Sequence, residues 1–88
     1  MRRVRVRVRG RVQGVFFRAE TRARAESLGV AGWVRNTGEG SVEAVFVGAD
    51  EHVESLLAWC RRGPAGAQVD NVETTAEEPG GEIGFRVR

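Results

Sequence analysis

Residues 3–18, Arg3-Val4-Arg5-Val6-Arg7-Val8-Arg9-Gly10-Arg11-Val12-Gln13-Gly14-Val15-Phe16-Phe17-Arg18, decide the fold. Valine alternates with arginine over residues 3–9, the period-two pattern of a strand with one buried face and one wet face. Further on, Phe17, Thr21, Ala25 and Leu28 share one helical stripe that stops at Gly29, a residue type that commonly caps helix C-termini. The pattern predicts a strand over about 3–9, a loop over 10–17 and a helix over about 18–28. A loop that feeds a helix in this way points backbone N–H groups outward at the positive end of the helix dipole, with Arg18 beside them. Such a corner suits a phosphate or another oxyanion.

Working outward, Gly32-Trp33-Val34-Arg35-Asn36-Thr37-Gly38-Glu39-Gly40-Ser41-Val42-Glu43 reads as strand, glycine-bearing turn and returning strand, which puts Asn36 near a strand end. Strands are expected at 31–36 and 41–48. Val53, Leu56, Leu57 and Cys60 recur at i, i+3, i+4 and i+7, predicting a helix over about 50–62 with Asp50 as its cap and Arg61, Arg62 and Gly63 at its end. A weakly marked strand follows within 68–76. Ile83, Phe85 and Val87 alternate with Gly84, Arg86 and Arg88 in a closing strand at 83–88. A βαββαβ order with two one-sided helices implies an α+β, ferredoxin-like sandwich, both helices on one face of a mainly antiparallel sheet. That architecture carries many unrelated functions, so the site must decide the activity.

Composition narrows the options. Eighty-eight residues are expected to form a single domain, 1–88, and a chain of this size buries only roughly 60–65% of the surface it exposes when unfolded. Cys60 is the sole cysteine and His52 the sole histidine, so neither an internal disulfide nor a convincing zinc or copper ligand set is expected. The N-terminus has no apolar signal region and no apolar run would cross a bilayer, which predicts a cytoplasmic protein without a membrane partner. No exposed apolar stripe is left over, so a monomer is expected. All fourteen basic residues are arginine, and the net charge is +2. Six of those arginines fall within residues 2–11 whereas most acids lie in the second half, an asymmetry that would help attract a small dianion.

The two motifs, Gly10-Arg11-Val12-Gln13-Gly14-Val15-Phe16-Phe17-Arg18 and Gly32-Trp33-Val34-Arg35-Asn36 with its turn into Val42-Glu43, together resemble the acylphosphatase family. The resemblance extends to Leu28-Gly29 and to Trp59-Cys60-Arg61-Arg62-Gly63-Pro64, covering essentially the whole chain. The turn reads Gly38-Glu39-Gly40 where the family often has an aspartate before the second glycine. The resemblance implies hydrolysis of acyl phosphates to carboxylate and inorganic phosphate, without metal or cofactor. It assigns catalytic roles to the arginine closing the first motif and the asparagine closing the second, here Arg18 and Asn36.

The residues suit that chemistry. An acyl phosphate expels a carboxylate whose conjugate acid has a pKa of about 4, so it leaves unprotonated and no general acid is required. Positioning and charge remain. A guanidinium fork and backbone donors can hold the equatorial oxygens of a loose phosphoryl-transfer transition state. The phosphate-binding set is expected to be Gly14, Val15, Phe16, Phe17 and Arg18. Asn36, an amide offering donors and an acceptor in one plane, would orient the attacking water. Phe16, Phe17, Trp33 and Trp59 read as core or loop-anchoring groups, with one of the two phenylalanines alternatively lining the mouth where the acyl portion sits, His52 as a surface residue and Cys60 as a buried member of its helical stripe. Thr37 reads equally as support for the loop or as a turn residue bonded to its own backbone. The alternative function is a non-catalytic ferredoxin-like module that binds anions or nucleic acid. Its nucleic-acid form is disfavoured because the arginine-bearing sheet face lacks stacking aromatics and lies opposite glutamates such as Glu43.

Overall fold

The computed structural model describes all of residues 1–88. Its elements are β1 (Arg2–Arg11), α1 (Phe17–Leu28), β2 (Ala31–Asn36), β3 (Val42–Gly48), α2 (Asp50–Arg62), β4 (Gln68–Glu77) and β5 (Phe85–Val87). The strands form one sheet in the order β4-β1-β3-β2-β5. Every pairing is antiparallel except that of β5 with β2, so the expected mainly antiparallel α+β sandwich has a parallel edge.

The alternation in β1 sets the layers. Val4, Val6 and Val8 pair across the ladder with Phe46, Ala44 and Val42, and all six are buried on the helix side. They join Phe17 and Ala25 of α1 and Val53, Leu56, Leu57 and Cys60 of α2 in one core. Each large aliphatic side chain buried there contributes about 1.5–3 kcal/mol of transfer free energy. Burial also pushes the Cys60 thiol up to about 12, with Arg61 opposing weakly, so Cys60 is a packing residue and carries no thiolate at neutral pH.

Four local expectations change. Phe17, not Arg18, opens α1, and β1 extends to Arg11. Asp50 is the first residue of α2 and makes no cap; the cap position is Ala49, which has no side-chain hydrogen bond, while Asp50 and Glu51 complement the dipole from inside the first turn. The closing strand shrinks from 83–88 to Phe85–Val87, because Gly84 turns with φ 69° and an edge strand has one neighbour only. Of its alternating trio only Phe85 is buried; Ile83 is 87% exposed. Trp33 lies outside the main core, in a small cluster with Val45 and Val47 on the opposite sheet face, where the Arg5 and Arg88 guanidinium groups cover its ring at 5.5 and 4.4 Å.

That second face carries Arg3, Arg5, Arg7 and Arg9, and each pairs with a glutamate. Glu43, buried among them, accepts hydrogen bonds from Arg35 (2.8 Å), Arg5 (3.1 Å) and Arg7 (3.3 Å). Glu77 accepts from Arg5 at 2.6 Å and Arg3 at 3.0 Å, and Arg9 pairs with Glu73. Burial works against ionisation of Glu43, but the bonds from Arg35, Arg5 and Arg7 outweigh it and hold the carboxyl below the usual range. Hydrogen bonds from Arg5 and Arg3 do the same for Glu77. Because both folded-state values lie below the ordinary 4.5, the unfolded chain takes up protons first on acidification. Stability is therefore expected to be fully present above about pH 4.5 and to fall as pH drops through the lowered native values. Glu43→Gln should cost about 2 kcal/mol at neutral pH, less than a fully buried pair because its arginines remain 32–42% exposed, and should flatten part of the acid slope. Urea titrations of both proteins between about pH 3 and 7 measure this. An acid slope identical in the two proteins would contradict the role of Glu43.

Candidate active site

Between β1 and α1 the chain makes an unusual corner. Gly14 has φ 76° and Phe16 has φ 62° with ψ 23°, the only non-glycine residue in the left-handed region. Since Val15 and Phe17 keep negative φ, the sign alternates along residues 14–17, the pattern that turns successive N–H groups toward one side as an anion-binding nest. The N–H groups of Gln13, Gly14, Val15 and Phe16 donate to no protein acceptor. The first N–H groups of α1 likewise have no acceptor inside the helix. The corner is held from two sides. The Phe16 carbonyl accepts from Glu20 N–H at 3.0 Å, and Phe17 is buried with its ring tilted against Trp59 at 5.2 Å.

A cavity of about 570 Å³ opens at this corner. Of the six predicted site residues, Gly14, Phe16, Phe17, Arg18 and Asn36 line it. Val15 does not; its side chain packs inward against the core, leaving only its backbone to the loop. Phe16 takes the alternative role, not the packing one, being 78% exposed at the cavity wall. Arg18 makes no ion pair, in contrast to Arg3, Arg5, Arg7, Arg9 and Arg35 of the sheet, and no carboxylate lines the cavity. Asn36 arrives from the end of β2, opposite Val42.

Sequence reasoning missed what joins the two motifs. The Gln13 amide donates through Nε2 to the Thr37 and Ser41 carbonyls, both at 2.9 Å, tying the loop to the hairpin that carries Asn36. The Thr37 hydroxyl, by contrast, serves the turn: it lies 2.7 Å from Ser41 Oγ and accepts from the N–H groups of Glu39 and Ser41. Both expected uses of Thr37 occur, divided between its carbonyl and its hydroxyl. Arg22 and Val87 also reach the cavity. Arg22 was detectable, since it follows Arg18 by one helical turn; Val87 was not.

A Cβ placed on Gly14 meets no protein atom within 4 Å, so the packing would accept one and the backbone would not. Gly14→Val is expected to cost about 1–2 kcal/mol through its left-handed φ and to bend the nest. Phosphate titration followed by NMR should show weakened binding in a protein that still unfolds cooperatively. Unaltered phosphate affinity would count against the loop geometry.

No three His, Cys, Asp or Glu side chains cluster in a way that could hold a metal ion, and no helix is long and apolar enough to cross a membrane. A second groove, about 620 Å³, runs between α1 and α2, where Arg24 lies 4.8 Å from the Trp59 ring centroid; it contains neither motif.

Comparison with known proteins gives the family. The sequence model of the family described as Acylphosphatase matches residues 4–87. A protein of Rubrobacter xylanophilus named Acylphosphatase is 60% identical over 89 residues, covering 99% of this chain and 80% of that relative. The solved structure of an acylphosphatase from Coxiella burnetii superposes with a TM-score of 0.95 at 40% identity, covering 99% of this chain and 92% of the other. The crystal structure of acylphosphatase from Bacillus subtilis gives 0.96 at 30% identity, covering 100% and 99%.

Proposed function

The chain belongs to the acylphosphatase family, an enzyme family, and from that premise we propose how its own residues hydrolyse an acyl phosphate. The phosphoryl group sits in the nest of residues 14–17 at the N-terminus of α1, its equatorial oxygens held by backbone N–H groups and by the Arg18 guanidinium. Asn36 orients a water in line with the leaving group. The water oxygen forms a bond to phosphorus as the bond from phosphorus to the acyl oxygen breaks; the carboxylate departs with that electron pair. The proton of the water passes to a phosphoryl oxygen of the substrate, since an amide is no base. The products are carboxylate and inorganic phosphate.

The observation that carries this reading is the meeting of Arg18 and Asn36, from separate elements, in a cavity that bears no carboxylate and is rimmed by unpaired N–H groups. The charge on the departing carboxylate needs neither protonation nor a Lewis acid, so turnover is expected to be metal-independent. The reading treats residues 1–88 as one acylphosphatase-like domain acting as a cytoplasmic monomer on small molecules, with no membrane or nucleic-acid partner. Pairing of the sheet arginines with Glu43, Glu77 and Glu73 supports the last point, since that face offers a polyanion little free positive charge.

Hydrolysis of benzoyl phosphate, followed by absorbance with excess chelator, tests the proposal. Turnover unaffected by chelator is the expected result. A folded protein that binds phosphate without hydrolysing benzoyl phosphate would instead be the non-catalytic anion-binding module.

A further inference from the structure

We propose that Arg22 makes this site selective for acyl phosphates whose acyl group carries a second negative charge, such as the monophosphate of a four-carbon dicarboxylic acid. The inference rests on the hydrolytic reading above and adds to it a substrate class and a specificity residue. Arg18 and Arg22 are four residues apart on α1, which puts them on one helix face about 5–6 Å apart at Cβ. Both line the same cavity, whose lining has no acidic residue. With the phosphoryl group at Arg18, the nest accounts for one anion. Arg22 is then a second cation in a space that the reaction at phosphorus does not require.

Other arginines on this chain do not share that position. Arg3, Arg5, Arg7 and Arg9 of β1 are absorbed by Glu43, Glu73 and Glu77 on the far side of the sheet, and Arg2 pairs with Glu54 of α2. Arg22 has one carboxylate neighbour, Glu26, reached only through Nε at 3.4 Å, a long contact between groups that are both more than half exposed. The two terminal nitrogens of its guanidinium make no hydrogen bond, leaving a fork that suits a bidentate carboxylate. In a four-carbon diacid the free carboxylate is separated from the phosphoryl group by roughly the same span as one helical turn. Phe16, Ala19 and Val87 give the cavity apolar lining for the intervening methylenes.

The test compares succinyl phosphate with butyryl phosphate, chains of equal length ending in a carboxylate or a methyl group. The readout is the ratio of their kcat/KM values in wild-type protein, Arg22→Gln, Arg22→Lys and Arg61→Gln. Arg61 is an exposed arginine of α2 outside the cavity, so Arg61→Gln removes the same charge from the overall field alone. The expected result is a ratio lowered about tenfold by Arg22→Gln, partly restored in Arg22→Lys and unchanged in Arg61→Gln. A ratio unmoved by Arg22→Gln, or lowered equally by Arg61→Gln, would overturn the assignment. So would an equal loss on both substrates, which would place Arg22 with the phosphoryl group. Failure of the hydrolytic reading looks different: wild-type protein would then hydrolyse neither compound.

Discussion

Arg18→Ala protein is expected to fold normally yet lose turnover by roughly 10³-fold or more, together with its affinity for inorganic phosphate. The fold survives because Arg18 is exposed, forms no ion pair and contributes nothing to the core. Alanine is also an excellent helix former, so α1 keeps its first turn. The loss is electrostatic. On the proposed reading, removing the guanidinium would leave the phosphoryl group to backbone N–H groups alone, and no neighbouring cation replaces the fork: Arg22 stands a full turn further along. The guanidinium holds charge on these oxygens in the bound phosphate and more strongly in the transition state, so phosphate binding and kcat should both fall. Steady-state kinetics on benzoyl phosphate and a phosphate titration of the same preparation measure both. Retained phosphate affinity with lost turnover would move Arg18 from holding the phosphoryl group to a role in the chemical step alone.

Asn36→Ala is expected to separate those two quantities. Turnover should drop roughly 10²–10³-fold, the order of loss when a positioning group is removed from an otherwise intact site. Phosphate affinity should stay within about twofold, because the nest and Arg18 belong to the loop and α1 and do not depend on the Asn36 amide. The hairpin is built to survive the change, since its turn is fixed by Thr37 and Ser41 and its link to the loop by Gln13. Asn36→Asp is a sharper variant of the same size. Its carboxylate would put a negative charge into a cavity that otherwise bears none, so phosphate binding should weaken as turnover falls. Equal loss of phosphate affinity in Asn36→Ala and Arg18→Ala would abolish the division of labour between them.

Much of this was legible in local pattern. The Val–Arg alternation of β1, the stripe of α2 from Val53 to Cys60 and the Gly29 stop of α1 each state which side of an element is buried, and the structure buries those sides. β4 was the faintest signal and became a ten-residue strand. As an edge strand it is mostly exposed, so Val69 and Val72 alone show its inward face. β5 misled in the opposite way: Ile83 and Val87 continue an alternation, but Gly84 bends the chain before a second side of the ladder exists to extend it.

The sequence by itself determined the elements, their buried faces, the loop that exposes backbone donors and the two motifs that mark the family, because side-chain period and glycine placement act over a few residues. Only the tertiary structure decided which arginines are free. Motif and spacing mark Arg18 and Arg22 but do not measure how far each arginine is neutralised; sheet pairing brings Glu43 and Glu77 against Arg5 and Arg7, while the N-terminus of α1 faces a cavity without carboxylates. A charge is neutralised or left available by partners far away in sequence. Those partners meet only when the sheet and helices close around one core.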